Sequence, residues 1–262
     1  MINYNKRQNK EMAEKHDQMI NKLFKQQIDE SSQQTKIYDT KNVVKSIDNA
    51  VKPNIEVWAT DTYNAAIKAF KTFKHQKIAV LNFADYINPG GGYLNGMMAQ
   101  EEAICGQSDL YPIIIRQKEY YDYNRKHMNR GLYEDRALYT PNVLWGISVR
   151  PQAKTDVITC AAPRKSRAKY IKGKGQNAFK HEANQAMQKR MTFVKHLAET
   201  EKADTLILGA WGAGAFGFDA REVAQMWQKA FTEPTSIQNI IYAIIDDKRS
   251  KDALRAFKET FN

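Results

Sequence analysis

The stretch that decides the fold is "KIAVLNFADYINPGGGYLNGMMAQEEAICG", residues 77–106. It opens with a continuous apolar run, which is typical of a central strand buried on both faces of a sheet. Three consecutive glycines follow, and after a seven-residue spacer come Gln100, Glu101 and Glu102. Glycine leaves its backbone N–H groups unshielded, so they can approach a phosphate or a sugar closely. The stretch therefore predicts a ligand-binding loop at the end of a buried strand, with two acids beside it.

The alternation of short apolar runs with amphipathic segments continues along the chain. The predicted strands cover residues 55–59, 77–84, 142–149, 155–163, 204–211 and 237–245. The predicted helices cover residues 62–73, 99–115, 177–202, 220–231 and 250–261. Strands that alternate with helices predict an α/β fold, in which helices cover both faces of a sheet. Ligands of such sheets bind beyond the carboxyl ends of the strands.

The first fifty residues have a different composition, rich in Lys, Gln, Asn and Asp. Their apolar positions recur at roughly helical spacing, at Met12, Met19, Ile20, Leu23 and Phe24. This spacing predicts one or two amphipathic helices able to pack on the main body. The segment "DESSQQTKIYDTKN" (29–42) is typical of a connection. We therefore expect a helical extension at residues 1–50 and an α/β domain at residues 51–262.

Charge and cysteine content narrow the class of protein. The formal net charge of +11 favours polyanionic partners, although a Lys-rich solubilising surface is the alternative interpretation. Cys105 and Cys160 lie in no CxxC pattern, and no histidine pair has ligand spacing, so we expect no metal site. The N-terminus has no apolar signal core, and no stretch reaches the 18 apolar residues of a membrane helix. These features predict a cytoplasmic protein without a membrane partner.

A second glycine-rich segment, "GAGAFGFD" (212–219), follows the predicted strand at 204–211. A predicted helix begins directly after it, and helix N-termini favour anions. Two such loops at strand ends could hold a diphosphate from two sides. Neither loop fits GxxxxGK[ST], nor GxGxxG followed by an acid about 20 residues later, which disfavours a P-loop NTPase and an ordinary dehydrogenase.

The adjacent acids Glu101 and Glu102 have two interpretations. Acids at a helix start are favoured by the helix dipole and are often inert. Alternatively, because neighbouring helix residues point about 100° apart, one acid faces the loop while the other turns to another part of the ligand. Cleavage at a ribose anomeric carbon needs a proton on the departing oxygen, which a Glu of raised pKa can deliver. The loop and the acids together are consistent with an active site that cleaves an ADP-ribosyl bond.

Three segments also resemble a known family, the bacterial-type poly(ADP-ribose) glycohydrolases. Residues 81–112 resemble its signature of a glycine triplet, a spacer of six to eight residues, and Gln-Glu-Glu. "VITCAAP" (157–163) and "LILGAWGAGAFG" (206–217) resemble its later blocks in the same order. The resemblance spans residues 54–262. It implies a macrodomain-like mixed sheet flanked by helices, which binds ADP-ribose at the strand ends without a metal or organic cofactor.

The resemblance also implies roles for individual residues. Glu102 would be the acid that protonates the leaving ribose oxygen and then helps to activate water, while Glu101 would orient the reacting ribose. The implied substrate-binding residues line the ribose and the diphosphate, and they are Asn82, Asp85, Gly90, Gly91, Gly92, Gln100, Gly212, Ala213, Gly214, Ala215, Phe216 and Gly217. Three features depart from the family pattern. Asp85 stands where Asn is common, Ala213 stands where Cys is common, and "FGFD" (216–219) stands where a polar or Pro-containing turn is expected, which affects the distal pocket.

The function that this implies is release of ADP-ribose by cleavage of the ribose–ribose O-glycosidic bonds of poly(ADP-ribose). One alternative is a hydrolase that removes mono(ADP-ribose) from protein, nucleic acid or a small metabolite. Another is a module that binds ADP-ribose without cutting it, although such a module does not need the acid. A third is a nucleic-acid-binding protein that uses its basic face.

Two further stretches have open interpretations. "RKSRAKYIKGKGQ" (164–176) is either a loop that contacts a polyanion beside the cleft or a solvated loop. The segment 120–141 holds five tyrosines, several expected to pack on the sheet and one able to stack on adenine.

Overall fold

The computed structural model describes residues 6–44, 50–146, 150–247 and 250–261. Within these residues seven strands form one sheet: β1 (Lys36–Asp39), β2 (Asn54–Ala59), β3 (Ile78–Phe83), β4 (Arg136–Trp145), β5 (Ala153–Cys160), β6 (Thr205–Leu208) and β7 (Asn239–Ile244). Their order is β1-β4-β5-β3-β6-β7-β2, which places β3 at the centre. The strands from β5 to β2 pair in parallel, whereas β4 is antiparallel to both β5 and β1. The sheet is therefore mixed.

Helices cover both faces of this sheet. The α-helices of the described residues are α1 (Lys6–Leu23), α2 (Lys25–Gln34), α3 (Thr62–Thr72), α4 (Gln100–Cys105), α5 (Leu110–Ile114), α6 (Lys118–Lys126), α7 (Gly175–Thr200), α8 (Ala220–Ala230) and α9 (Lys251–Phe261). Helices α7, α8 and α9 pack on one face, and α1 to α6 belong to the core on the other. In the part of the chain that is described, no helix has the length and apolarity to cross a membrane.

The central strand explains why both faces are covered. Ala79 and Leu81 of β3 belong to the core under α7–α9, while Ile78 and Val80 belong to the core under the other helices. Successive side chains of a strand point to opposite faces, so a continuous apolar run needs two covered faces. The predicted macrodomain-like mixed sheet flanked by helices is confirmed.

One predicted helix is broken in the structure. Residues 99–115 form two short helices, α4 and α5, instead of one. The break lies where Ser108 pairs with Trp145 at the end of β4, and where Asp109 Oδ1 accepts a 2.8 Å hydrogen bond from Leu144 N. These contacts with the strand replace the hydrogen bonds that a continuous helix would make there.

One predicted strand is shifted. The expected strand at 142–149 begins earlier, since β4 runs from Arg136 to Trp145 with a change of register between Thr140 and Val143. Residues 147–149 lie outside the described residues. The strand was missed in its first half because bulged strands break the simple alternation on which the prediction rests.

The first fifty residues contribute a strand to the sheet as well as two helices. The stretch 29–42, expected to be a connection, contains the end of α2 and all of β1. Strand β1 is an edge strand that pairs with β4, with Ile37 opposite Leu138. The N-terminal segment thus shares the sheet of the main domain, and the domain boundary at residues 50 and 51 stays a prediction.

Candidate active site

Both glycine-rich loops lie at the carboxyl ends of neighbouring parallel strands. The first glycine loop (residues 84–99) follows β3, and the second glycine loop (residues 209–219) follows β6, which pairs with β3. The fold therefore brings to one edge of the sheet two segments that are about 120 residues apart in sequence.

Gln100 fixes the start of α4 against the end of β3. Its Oε1 accepts a hydrogen bond from Phe83 N at 2.8 Å, and its Nε2 donates one to Leu81 O at 3.0 Å. The side-chain amide thereby makes the pair of bonds that a neighbouring strand would make. Gln100 thus positions the two acids that follow it, and its contact with a ligand stays a prediction.

The carboxyl group of Glu102 is held by two backbone N–H groups. Gly92 N donates to Oε1 at 2.8 Å, and Ala99 N donates to Oε2 at 2.9 Å. Glu102 is 8% exposed. One donor comes from the glycine triplet and the other from the residue before α4, so the loop and the helix start together fix this carboxyl group.

Glu101 is more deeply buried, at 3% exposure. Asp85 N donates to its Oε2 at 2.6 Å, and Asn82 Nδ2 donates to its Oε1 at 3.2 Å. Burial raises the pKa of Glu101 to about 8, although these two hydrogen bonds act to lower it. At neutral pH Glu101 is therefore protonated, which leaves it a hydroxyl to donate.

The amide of Asn82 lies next to this group. Its Nδ2 also lies 3.3 Å from Thr159 Oγ1 on β5. Its Oδ1 is buried, and no hydrogen-bond partner for it occurs among the described residues.

Gly91 lies directly against both acids. A Cβ atom at this position would lie 2.5 Å from Glu102 Oε1 and 3.1 Å from Glu101 Oε2, and the φ angle of +59° also favours glycine. The prediction that only one acid faces the loop is therefore wrong. The two side chains converge on Gly91 because both reach back from the first turn of α4 over the loop.

The other two glycines of the triplet are equally confined. A Cβ atom at Gly90 would lie 2.5 Å from the ring of Tyr111, and one at Gly92 would overlap the side chain of Met97. The carboxylate of Asp85 supports the loop before them, since its Oδ1 accepts hydrogen bonds from Ile87 N at 2.9 Å and Asn88 N at 2.8 Å. Asp85 therefore fixes the glycine loop, and its contact with a ligand stays a prediction.

Helix α1 supports the first glycine loop from outside. Tyr93 OH donates to Ala13 O at 3.0 Å and lies 2.7 Å from Nδ1 of His16, whose pKa is lowered to about 4 by burial. A Cβ atom at Gly96 would overlap Lys6 O. Sequence reasoning missed these contacts because apolar spacing identifies the buried face of a helix but not its partner.

A cavity of about 690 Å³ lies between α1 and the first glycine loop. It is lined by Lys6, Arg7, Lys10, Gly92, Asn95 and Met97. Two of its cations are paired within α1, Arg7 with Glu11 at 3.1 Å and Lys10 with Glu14 at 3.7 Å. Ion pairs within α1 therefore involve two of the three cations that line this cavity.

The second glycine loop is open by comparison. Gly214 and Ala215 are exposed, and a Cβ atom at Gly214 would meet nothing within 4 Å. The loop ends at Asp219, whose side chain caps α8 by accepting hydrogen bonds from Arg221 N at 2.9 Å and Glu222 N at 3.2 Å. The start of α8 is thus already satisfied by an acidic side chain, and the part of this loop that is open to a ligand is the exposed backbone at Gly214 and Ala215.

Phe216 joins the second glycine loop to an aromatic cluster. It packs against the cluster of Tyr86, Tyr133 and Ala161, in which the two tyrosine rings stack with centroids 4.1 Å apart. Of the five tyrosines in the segment 120–141, Tyr133 therefore lies beside a predicted ligand contact. The other four are Tyr120, Tyr121 and Tyr139, which are buried, and Tyr123, which stacks on His127.

These features define the class of protein: a macrodomain-like domain whose strand ends carry two buried carboxyl groups and an open glycine loop. The family model of the microbial-type PARG catalytic domain matches residues 7–146. The chain therefore belongs to the microbial-type poly(ADP-ribose) glycohydrolase (PARG) family. A search of curated proteins returns no match.

Solved structures of bacterial enzymes have the same fold. The poly(ADP-ribose) glycohydrolase of Thermomonospora curvata superposes with a TM-score of 0.84 at 21% identity, covering 97% of this chain and 100% of that one. Its complex with the inhibitor ADP-HPD gives the same TM-score at 22% identity and the same coverage. The enzyme of Deinococcus radiodurans in complex with ADP-ribose gives 0.76 at 24% identity, covering 90% of this chain and 97% of that one.

Proposed function

We propose that this protein is a glycoside hydrolase that releases ADP-ribose by cleaving the ribose–ribose O-glycosidic bonds of poly(ADP-ribose). The observation that carries the proposal is the Glu102 carboxyl group, held by Gly92 N and Ala99 N beside the backbone of Gly91. Membership of the microbial-type PARG family and the fold shared with bacterial poly(ADP-ribose) glycohydrolases support it.

In this proposal Glu102 protonates the departing ribose oxygen as positive charge develops on the sugar ring. The same group then takes a proton from the attacking water. Glu101, neutral at pH 7 because burial raises its pKa to about 8, donates a hydrogen bond that orients the reacting ribose. Free N–H groups of the second glycine loop bind the diphosphate, whose negative charge stabilises the cationic transition state.

Phe216 and the glycine triplet complete the proposed site. The triplet lines the ribose and the diphosphate, and Phe216 packs near the distal ribose, where the aromatic cluster of Tyr86 and Tyr133 supports it. The partly buried Ala213 belongs to the same loop and to the core beneath it. These ligand contacts rest on the family resemblance together with the positions of the residues at one edge of the sheet.

The test is a timed incubation with poly(ADP-ribose) of defined length, following released ADP-ribose. We expect release by the wild type and by the control variant Glu30→Ala, which alters an exposed glutamate of α2. Glu102→Ala should reduce the rate by at least about 100-fold, since general acid catalysis contributes that much or more. Release at the wild-type rate by Glu102→Ala would refute the assigned acid.

The other substrates and the binding module are separate outcomes of this experiment. If the wild type binds ADP-ribose but leaves the polymer intact, proteins and nucleic acids carrying a single ADP-ribose become the substrates to test. If these also stay intact, the protein binds ADP-ribose without cutting it.

We further propose that the protein works in the cytoplasm. The two cysteines support this compartment, because Cys105 and Cys160 are both free and buried, as is common where thiols stay reduced. Cell fractionation with an antibody to the protein tests it, and recovery from an oxidising compartment would contradict it.

A further inference from the structure

The basic segment (residues 164–174) lies at the same edge of the sheet as the two glycine loops. It follows β5, which pairs in parallel with β3 on the side opposite β6. The carboxyl ends of three adjacent parallel strands thus lead into the basic segment, the first glycine loop and the second glycine loop. This placement makes the segment a neighbour of the proposed active site.

Direct contacts join the basic segment to the second glycine loop. Ser166 N donates to Phe216 O at 2.8 Å. A Cβ atom at Gly217, where φ is +85°, would lie 2.9 Å from both N and Cβ of Ser166. At its start the segment is fixed by a hydrogen bond of 2.7 Å from Arg164 N to Gly131 O. The backbone of this segment is therefore held in place beside the loop that presents Gly214 and Ala215.

The side chains of the segment point mostly to solvent. Residues Lys165–Tyr170 form a 3₁₀-helix in which Ala168 faces the core, while the ring of Tyr170 is 76% exposed. Lys169 Nζ lies 5.0 Å from the centroid of that ring. Lys169 therefore lies over one face of the Tyr170 ring, and an exposed aromatic ring with a neighbouring cation has the composition of a surface on which a base stacks.

The cations of the segment are free to bind an anion. Arg167, Lys169, Lys172 and Lys174 are exposed, and none of them has an ion-pair partner in the described part of the chain. In contrast, Lys165 pairs with Glu222 at 2.5 Å, and Arg7 and Lys10, two of the three cations beside the first glycine loop, are paired within α1. Among the described residues, the segment thus brings four exposed cations without an ion-pair partner together beside the second glycine loop.

We propose that the basic segment is a second binding subsite for poly(ADP-ribose), which holds the ADP-ribose unit next to the one in the active site. Tyr170 stacks on the adenine of that unit, and Arg167, Lys169, Lys172 and Lys174 bind its diphosphate. The proposal rests on the proposed function, because it takes the polymer to be the substrate. The polymer is favoured over nucleic acid because the segment is bonded to the loop that receives the first diphosphate.

The test compares two triple variants that each remove one aromatic ring and two lysine charges. The test variant is Tyr170→Ala with Lys172→Gln and Lys174→Gln. The control variant is Phe70→Ala with Lys71→Gln and Lys74→Gln, in exposed residues at the end of α3 that lies near the start of β3, at the opposite edge of the sheet. Both variants leave the glycine loops and the acids unchanged.

For the test variant we expect the KM for long poly(ADP-ribose) to rise about tenfold, the scale of one lost base stack and two phosphate contacts. Its kcat and its Kd for free ADP-ribose should stay within about twofold of the wild type, since one ADP-ribose fills only the first site. The salt dependence of polymer binding should also become weaker. The control variant should match the wild type in every measurement.

An unchanged KM for the polymer would overturn the proposal. So would a loss of binding to single-stranded RNA with polymer binding intact, because the segment would then be a nucleic-acid site. A filter-binding assay measures binding of the polymer independently of its hydrolysis, so the subsite and the proposed hydrolase activity are tested separately. A wild type that releases no ADP-ribose would refute the hydrolase, while its polymer binding, compared with that of the test variant, still decides whether the subsite exists.

Discussion

The first and the second glycine loops follow neighbouring strands, yet they use glycine for different reasons. In the first loop a Cβ atom at Gly90, Gly91 or Gly92 would collide with a ring, a carboxyl group or a methionine. In the second loop a Cβ atom at Gly214 would meet nothing within 4 Å. The first loop needs glycine throughout its triplet so that the protein can pack on itself. The second loop is confined in the same way at Gly217, where a Cβ atom would lie 2.9 Å from Ser166 N, and is open to solvent at Gly214.

This difference indicates a division of work within the site. The first loop places the carboxyl groups of Glu101 and Glu102 against backbone N–H groups, and in the proposed function these two acids do the catalytic work. The second loop exposes the backbone of Gly214 and Ala215, and in the proposed function this part of the loop binds the ligand. Changes in the first loop should therefore affect turnover and stability, and changes in the second should affect affinity.

The largest effect is expected for Gly91→Ala. The new methyl group would lie 2.5 Å from Glu102 Oε1, and the φ angle of +59° adds backbone strain. We expect the rate of polymer hydrolysis to fall by at least about 100-fold, because a small displacement of a catalytic group has effects of this size. The free energy of unfolding should fall by about 1–3 kcal/mol. Wild-type turnover in this variant would show that the loop does not position the acid.

The pH dependence of stability tests the burial of Glu101. Its pKa is raised to about 8 by burial, from a usual value of 4.5, so the folded state keeps this proton while the unfolded chain loses it. The free energy of unfolding should therefore fall as the pH rises from about 4.5 to 8, by an amount on the order of a few kcal/mol. Above pH 8, Glu101 should cause no further change in the free energy of unfolding.

Glu101→Gln is the matched variant, because glutamine resembles the neutral acid and does not titrate. We expect urea unfolding of this variant to lose much less stability over the same pH range. Asp109, whose pKa is raised to about 7 by burial, titrates in the same direction and is present in both proteins. Equal pH slopes for wild type and variant would contradict the account of Glu101.

A smaller effect is expected for Tyr93→Phe, which tests the support of the first loop by α1. The variant removes the hydroxyl that donates to Ala13 O at 3.0 Å and contacts His16. The loss should be about 1 kcal/mol in the free energy of unfolding, the usual contribution of one hydrogen bond. Tyr170→Phe, at an exposed ring, is the control and should unfold like the wild type. An equal effect of the two changes would argue against the support by α1.

The smallest effect on stability is expected for Gly214→Ala. Because its Cβ atom would meet nothing within 4 Å, the free energy of unfolding should stay within about 0.5 kcal/mol of the wild type. Denaturant unfolding of Gly214→Ala and Gly91→Ala under the same conditions measures the difference in stability between the two variants. A stability loss as large as that of Gly91→Ala would remove the distinction between the two loops.

The central part of the fold could be predicted from sequence because its signals are local. Strand β3 is a continuous apolar run, and the glycine triplet follows it without a gap. Strand β1 could not be predicted, because it is an edge strand of four residues and begins and ends with the charged Lys36 and Asp39. Its structure depends on pairing with β4, about 100 residues later in the chain.

In the candidate site, too, the sequence predicts what is local and misses contacts between distant segments. The motif placed Glu101, Glu102 and the glycines together, since they are close in sequence. The sequence could not show that Gln100 bonds to the strand backbone, nor that Tyr93 contacts α1, which lies about 80 residues earlier. Nor could it show that Ser166 contacts Phe216. Each of these contacts joins segments that only the folded chain brings together.

The most direct test of the division between the two loops is a calorimetric titration of ADP-ribose into Glu102→Gln. Glutamine keeps the size of the side chain, but its amide accepts only one of the two N–H groups that Glu102 accepts. We expect a Kd within about threefold of the wild type, in a variant whose polymer turnover falls by at least about 100-fold. A loss of ADP-ribose binding in step with turnover would make Glu102 a binding residue and contradict this account.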